Sequence, residues 1–224
     1  MRTAEARGAG PSSDLTARAR IREAAIECFV EDGFETSFRT IAQRAGVSPG
    51  LITHHFGSKD ALRAECDEAV LREYSAFKHE AVDMPSPRLM SLLVEPGRAA
   101  TLAVYMLRAI HAGGEPARDF LEHLIDKARG VMAHSLEAGI IRPSRDEEAR
   151  LRYLTSVTLG AMLVHFVTSP VTTPDDFVAS MHEYQRDHLL PLLELFTHGI
   201  FTDSSVLDDY VRYLWEPPDA ATQS

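Results

Sequence analysis

Residues 38–62 place small, hydroxyl and basic side chains at a spacing suited to contact with a nucleic acid. The segment reads FRTIAQRAGVSPGLITHHFGSKDAL. Its pattern predicts a short helix, a tight glycine turn and a second short helix that faces outward. A small protein uses this arrangement to put a helix into the major groove of DNA. The segment therefore predicts a helix-turn-helix.

Gly46 marks the turn between the two short helices, because glycine readily adopts the left-handed backbone conformation that ends a helix. Before it, Ile41, Ala42 and Ala45 recur at helical spacing and predict the inward side of the first helix. Val47 follows the turn and is expected to fill the core beneath it. This apolar side fixes the first helix against the rest of a small domain.

The second short helix is expected to begin after Ser48, which can cap it, with Pro49 at the first position, where a missing amide proton costs nothing. Leu51, Ile52 and Phe56 fall on the inward side. The residues left to point outward are small or form hydrogen bonds, and they are Pro49, Gly50, Thr53, His54 and His55. Such a face suits a groove better than a core.

This part of the chain resembles the TetR family of dimeric bacterial repressors. The resemblance rests on residues 36–42 (TSFRTIA), 45–50 (AGVSPG) and 55–62 (HFGSKDAL), with a predicted upstream helix over residues 16–33. It covers roughly the first quarter to third of the chain, the scale of a small module. The family usually has an aromatic pair where this chain has Thr53 and His54, so contacts made from those two positions would differ from the ones usual in the family.

Ser58 is predicted to cap a further helix over residues 59–81. Lys59 then lies in the first turn, where free amides and the helix dipole attract a phosphate. This helix starts against the recognition helix and ends in the distal part of the chain, so a shift of its far end would move the DNA-reading surface. The predicted DNA contacts are Thr36, Ser37, Arg39, Thr40, Ser48, Pro49, Gly50, Thr53, His54, His55 and Lys59.

Residues 1–13 are rich in Ala, Gly and Ser and predict a disordered arm, and residues 217–224 predict a disordered tail. Such an arm can reach into an adjacent minor groove. An ordinary frayed terminus is the favoured alternative. Arg18, Arg20 and Arg22 lie near the start of the first helix, where they oppose the helix dipole. That placement is easier to explain if phosphates lie nearby.

The net charge of −10 divides unevenly along the chain. Up to Arg63 there are 9 basic and 8 acidic residues, whereas the remainder has 14 basic and 25 acidic residues. A basic end can meet a polyanion while an acidic distal domain holds it in one orientation. An acidic surface that only maintains solubility explains the division equally well.

Composition argues against several other classes of protein. No run of 18 uncharged apolar residues and no apolar signal-peptide core occur, which predicts a cytoplasmic protein without a membrane partner. Cys28 and Cys66 fall on apolar helix faces and are read as core residues, with a redox pair as the alternative. Gly-x-Ser-x-Gly, a phosphate loop and Cys-x-x-Cys are all missing, so we predict no enzyme and no cofactor. The histidines lack metal-ligand spacing, so no metal site is predicted.

Beyond residues 84–87 (MPSP) the pattern predicts helices over residues 88–93, 96–112, 116–138, 145–168, 174–197 and 204–215. Residues 157–167 and 189–196 are apolar on nearly every side, so both helices must be covered all round. We expect an antiparallel pair that meets its symmetry mate in a four-helix bundle, with a core inside one chain as the alternative. The predicted dimer contacts are Leu154, Val157, Gly160, Ala161, Val164, Met181, His188, Leu189, Leu192 and Phe196.

The TetR resemblance implies that a small molecule of unknown identity binds in the distal domain and changes the separation of the two DNA-binding heads. The predicted pocket residues are Met90, Leu93, Tyr105, Met106, His111, Phe120, Leu124, His165 and Phe166. Residues of these kinds at helical spacing more often form a plain core. The methionine and aromatic content favours an uncharged or lipophilic effector.

Together these patterns predict an all-α chain with a three-helix helix-turn-helix domain over residues 14–62 and a larger helical effector-binding and dimerisation domain over residues 63–216. The expected function is that of a ligand-responsive homodimeric repressor. Its two recognition helices would read a palindromic operator in double-stranded DNA. The alternative is a helical small-molecule or partner-binding protein with weakened DNA affinity, as Thr53 and His54 allow.

Overall fold

A computed structural model gives the fold of the chain and describes residues 11–85, 87–88, 97–169 and 174–215. The expected all-α class is confirmed, because these residues form helices joined by turns and contain no strand. In chain order the helices are α1 (Pro11–Asp32), α2 (Phe38–Ala45), α3 (Pro49–Phe56), α4 (Lys59–Val82), α5 (Gly97–His111), α6 (Gly114–Glu137), α7 (Glu147–Thr168), α8 (Pro174–His198) and α9 (Ser205–Trp215).

The boundaries of α2 and α3 follow from local hydrogen bonds. The Ser37 hydroxyl accepts a hydrogen bond from the backbone amide of Thr40 at 3.2 Å, and the Ser48 hydroxyl accepts one from the amide of Leu51 at 3.3 Å. Such caps satisfy amides that the first turn of a helix leaves without carbonyl partners. Gly46 ends α2 at φ 64°, and the next amide returns to the Ala42 carbonyl at 3.0 Å. The predicted caps and glycine turn are therefore confirmed.

Some predicted boundaries differ from the structure. Helix α1 begins at Pro11, so residues 11–13 are helical, whereas their composition predicts part of a disordered arm. Arg18, Arg20 and Arg22 consequently lie beyond the first turn of α1 and do not oppose the dipole at its start. Residues 1–10 and 217–224 lie outside the described residues, as do Met90 and Leu93 of the predicted pocket.

Helix α5 lies at the centre of the packing. It contacts α1, α4, α6 and α7, and α4 packs along α6. Tyr105 on α5 is fully buried, and its ring lies 5.4 Å from that of Phe34 and 6.4 Å from that of Phe120. Cys28 and Cys66 are also fully buried, as expected of core thiols. Each large side chain removed from water here contributes about 1.5–3 kcal/mol to folding.

The described residues up to His182 pack into one compact unit, and those from Glu183 onward form a second. No break in packing falls at residue 62 among the described residues, because α1 contacts α4 and α5 as well as α2 and α3. Within the second unit, α9 presents a face of large apolar side chains that are each more than half exposed. They are Val206, Leu207, Tyr210, Tyr213 and Leu214.

Candidate nucleic-acid interface

The helix-turn-helix is supported from beneath by apolar side chains. Ile41 on α2 and Ile52 on α3 are completely buried, and Phe56 at the end of α3 is 7% exposed. Val47, predicted to lie in the core, is half-buried. Side chains recur on the same face of a helix every 3.6 residues, so with this underside buried the opposite face of α3 points outward.

Most predicted DNA contacts are exposed, on α3 and on α2 with its cap. The exposed members of the set are Ser37, Arg39, Thr40, Ser48, Pro49, Gly50, Thr53 and His54. His55 is half-buried, and its ring packs between those of His54 and Phe56 at centroid distances of 5.5 and 6.2 Å. His55 therefore presents less of its side chain than the sequence predicted.

Thr36 is a correction to the predicted set. Its side chain is buried, with 8% exposed, and its hydroxyl donates to the Gly33 carbonyl at 2.8 Å. The residue therefore closes the turn between α1 and α2, and its hydroxyl is already engaged. Ser37 and Ser48 are exposed, but each also uses its hydroxyl as a helix cap.

The start of α3 leaves room for a close backbone approach. Pro49 occupies the first turn, and Gly50 follows it. A Cβ built on Gly50 would meet no atom within 4 Å, so the surface there is open. Backbone amides and the positive end of the dipole lie at this helix terminus, and both favour a phosphate.

Ion pairs reduce the positive charge available around α3. The Lys59 ammonium, at the first position of α4, lies 3.5 Å from a carboxylate oxygen of Glu35, whose side chain is fully exposed. Arg44 on α2 is paired with Glu31 and lies 3.8 Å from Glu27. The hydrogen bond to Glu31 raises the pKa of Arg44. These pairs leave no pattern in the sequence, because their partners are separated by 13 to 24 residues.

The predicted effector residues are spread through the body of the chain. Tyr105, Met106, Phe120 and Leu124 are all at most 4% exposed and form part of the helical core. His111 is exposed at the end of α5, and Phe166 is half-buried. His165 is half-buried, and its Nε2 lies 2.9 Å from both the carbonyl and the hydroxyl of Ser180. The plain-core alternative thus describes the first four of these residues.

A cleft of about 420 Å³ lies between the first halves of α4 and α6. Phe120 lines it, but most of the other lining residues are polar and were not predicted. They are Asp60, Arg63, Ala64, Asp67, Glu68, Leu71, Glu115, Pro116, Asp119 and His123. The Asp67 carboxylate accepts a hydrogen bond from the Tyr105 hydroxyl at 2.7 Å. Burial raises the pKa of Asp67, although the bond from Tyr105 and the charge of Arg63 act in the opposite direction.

The predicted dimer residues are exposed to different degrees. On α7, Val157 is 39% and Val164 is 62% exposed, and Leu154, Gly160 and Ala161 are half-buried. On α8, His188 and Phe196 are exposed, and Leu189 and Leu192 are half-buried. Met181 is a correction, because only 9% of it is exposed and its own chain already covers it.

Helix α7 is also long and apolar enough to cross a membrane, with 6% of its most apolar stretch buried. It is the single such helix in the described part of the chain, and length and composition alone are weak evidence of a membrane span.

A helical body that carries a helix-turn-helix with an outward polar face defines a DNA-binding protein of the regulator class. Comparison with known proteins identifies the family. Residues 21–66 match the bacterial regulatory proteins of the tetR family, and residues 98–202 match the tetracyclin repressor-like C-terminal domain. The chain therefore belongs to the TetR family of DNA-binding transcriptional regulators.

Individual relatives agree with this assignment. The HTH-type transcriptional regulatory protein RaaS of Mycobacterium tuberculosis is 38% identical over 201 residues, which cover 89% of this chain and 94% of that protein. The HTH-type transcriptional repressor KstR2 of the same species is 27% identical over 69% of this chain and 84% of its own length. The structure of FadR from Bacillus subtilis, in complex with stearoyl-CoA, aligns with a TM-score of 0.52 at 20% identity, covering 82% of this chain and 99% of that one.

Proposed function

We propose that this regulator is a homodimeric repressor that binds a palindromic operator and is released by a small molecule bound in its distal domain. The observation that carries the proposal is the exposed polar face of α3, held outward by the buried Ile41, Ile52 and Phe56. Bound upstream of a gene, such a protein represses by blocking access of the polymerase. The relative KstR2, a repressor by name, favours this direction of control.

In this proposal the DNA contacts divide into two kinds. Arg39, Thr53 and His54 expose their side chains and are assigned to the groove, where side chains read base edges. The amides at the start of α3 and the Lys59 ammonium are assigned to phosphates, which position the protein without reading sequence. His55 is assigned a contact from the edge of its half-buried ring.

The exposed apolar surface supports the proposed dimer. Val157 and Val164 on α7 are separated by seven residues, so they lie on one face of the helix with Gly160 between them. A Cβ on Gly160 would meet nothing within 4 Å, which leaves room for a second helix to approach closely. Apolar side chains that are exposed together on one helix face favour an interaction site there. A twofold dimer would place the two α3 helices about 34 Å apart, one turn of DNA.

Release by an effector requires a difference in affinity. The ligand must bind the form with separated heads more tightly than the DNA-competent form, and the loss of DNA affinity equals that preference. We propose an uncharged or lipophilic effector from the methionine and aromatic residues of the body. FadR, whose fold this chain shares, is bound to stearoyl-CoA, and that ligand is consistent with a lipophilic class.

Binding of the full-length chain to DNA from its own upstream region tests the proposal. A fluorescently labelled duplex and sedimentation analysis measure the affinity and the number of chains bound per operator. We expect two chains per palindrome and sequence-specific binding at physiological salt. The double variant with His55→Ala and Lys59→Ala should bind much more weakly, and Lys59→Ala alone should reduce the salt slope by about one unit. Retained affinity in the double variant would contradict the contact assignment, and a chain without specific DNA affinity would favour the alternative of a helical binding protein.

A further inference from the structure

Arg18 of α1 holds the far end of the recognition helix. Its Nη1 donates a hydrogen bond to the backbone carbonyl of His55, in the last turn of α3. The centre of the guanidinium also lies 4.6 Å from the centroid of the Phe56 ring. The last four carbonyls of a helix have no partner within the helix, and a basic side chain can satisfy one of them. Arg18 therefore binds α3 at the end opposite to its exposed N-terminus.

The same guanidinium is held by α4. Arg18 Nε lies 3.2 Å from Oε1 of Glu65, and its Nη2 is paired with Oε2. Arg22, one turn further along α1, contributes a third contact, with Nη1 at 3.3 Å from Oε1 of Glu65. The Glu65 side chain is 26% exposed, so the group is partly shielded from water. A two-point contact between a planar guanidinium and a carboxylate fixes orientation as well as distance.

We propose that Arg18 is a positioning residue, which transmits the placement of α4 to the recognition helix through Glu65 and the His55 carbonyl. The proposal rests on the assignment of α3 as the helix that enters the groove. Besides its apolar underside, α3 then has a second, polar attachment to the rest of the domain. The apolar contacts hold α3 against the domain, whereas the Glu65–Arg18–His55 chain sets the position of its C-terminal turn relative to α4.

The opposite side of the same turn of α4 is attached to the body. Asp67, two residues after Glu65, accepts the hydrogen bond from Tyr105 of α5. Arg63, two residues before Glu65, lies with its guanidinium 3.9 Å from the ring centroid of Phe34, in the turn between α1 and α2, and that ring lies 5.4 Å from the ring of Tyr105. Residues 63–67 thus contact Tyr105 of α5 on one side, directly through Asp67 and by way of Phe34 through Arg63, and they contact Arg18 on the other side through Glu65. A displacement of α4 relative to α5 would therefore reach the end of α3 through one polar contact chain.

The charge of Glu65 and its proposed positioning role predict opposite effects of one substitution on DNA affinity, which makes the proposal testable. Glu65→Gln removes a negative charge from the DNA-binding head, so electrostatics alone predicts tighter binding to a polyanion. If Glu65 instead positions α3 through Arg18, the same change loosens the attachment and binding becomes weaker. The isosteric amide keeps the shape of the side chain, so packing is preserved.

The experiment measures the affinity of the full-length protein for its own upstream duplex over a series of salt concentrations. Wild type is compared with Arg18→Gln, Glu65→Gln and the double variant. We expect Arg18→Gln to weaken binding by about tenfold, the effect of one lost charge-assisted hydrogen bond. Glu65→Gln should also weaken DNA binding. The double variant should bind DNA no more weakly than whichever single variant binds it less tightly, because both substitutions act through one contact chain. The salt slope should stay that of the wild type.

Arg20→Gln is the matched control. Arg20 is exposed on the same helix, and its removal lowers the head's charge by the same amount. We expect a change within about twofold, as for an ordinary surface substitution. Arg18→Lys guards against misfolding of the glutamine variant, since it keeps the charge but cannot hold both acceptors in the same geometry. In Arg18→Lys, amide hydrogen exchange over the last turn of α3 should be faster than in the wild type, while the rest of the head is unchanged.

Three results would overturn the proposal. Glu65→Gln could bind DNA as tightly as the wild type or tighter, the Arg18→Gln loss could come with a salt slope reduced by about one unit, or the two losses could add. The first and third results would mean that Glu65 and Arg18 do not act through one contact chain. The second would mean that Arg18 acts through its charge on a phosphate. A wild-type chain without specific DNA affinity would overturn the proposed function as well, and it is recognised before any variant is compared.

Discussion

The hydrogen bond between Tyr105 and Asp67 gives a stability prediction that can be followed with pH. Tyr105 is fully buried, and its hydroxyl donates to Asp67 Oδ1 at 2.7 Å. Tyr105→Phe keeps the ring in the core and removes only this donor. Since a hydrogen bond to a charged group contributes about 1.5–3 kcal/mol, we expect a loss of about 2 kcal/mol in the free energy of unfolding at neutral pH. For a chain of this size that lowers Tm by about 4–8 °C.

The pH dependence follows from the pKa of Asp67. Burial raises this pKa above its ordinary value, and the Tyr105 hydroxyl counteracts part of the rise. A carboxyl group with a raised folded-state pKa binds its proton more readily when folded, so its cost to stability is present at neutral pH and disappears as pH falls through that pKa. Removing the hydroxyl raises the pKa further. The difference between wild type and Tyr105→Phe should therefore shrink as pH is lowered.

Urea denaturation at a fixed protein concentration measures both quantities. The concentration is fixed because the proposed dimerisation would contribute to apparent stability. Tyr74→Phe is the control, since Tyr74 is half-buried on α4 and no hydrogen bond to its hydroxyl is recorded among the described residues. We expect it to change the free energy of unfolding by less than about 0.5 kcal/mol. A loss for Tyr105→Phe equal to that of the control, or one that grows as pH falls, would refute the reasoning.

Three further outcomes are expected. Glu35→Gln should strengthen DNA binding about two- to fivefold, because it frees the ammonium of Lys59 from an exposed carboxylate 3.5 Å away, and an unchanged affinity in fluorescence anisotropy would count against this competition. Gly50→Ala should leave Tm unchanged or raise it, since alanine favours a helix by up to about 1 kcal/mol and its Cβ meets open space, yet it should weaken DNA binding; equal affinity would show that the backbone does not approach DNA there. Val164→Asp, at a site 62% exposed in the single chain, should convert the proposed dimer to monomers in sedimentation velocity without unfolding them, and a persisting dimer would place the interface elsewhere.

Local features of the head were predictable from the sequence because the interactions that create them span only a few residues. Ser37 and Ser48 cap amides three residues ahead, and Gly46 takes the left-handed conformation that few other residues tolerate. The burial of Ile41 and Ile52 follows from helical spacing alone. The sequence therefore determined the class of the protein and which face of α3 is exposed.

Contacts between distant parts of the chain were decided only by the tertiary structure. Arg18 and Glu65 are 47 residues apart, and Tyr105 and Asp67 are 38 apart, so neither pair leaves a spacing that a pattern can reveal. Thr36 has a hydroxyl suited to DNA, yet packing turned it inward to close a loop. Helical periodicity tells which side of a segment is apolar, but a charged or hydroxyl side chain finds its partner only when helices have packed and removed the competing water.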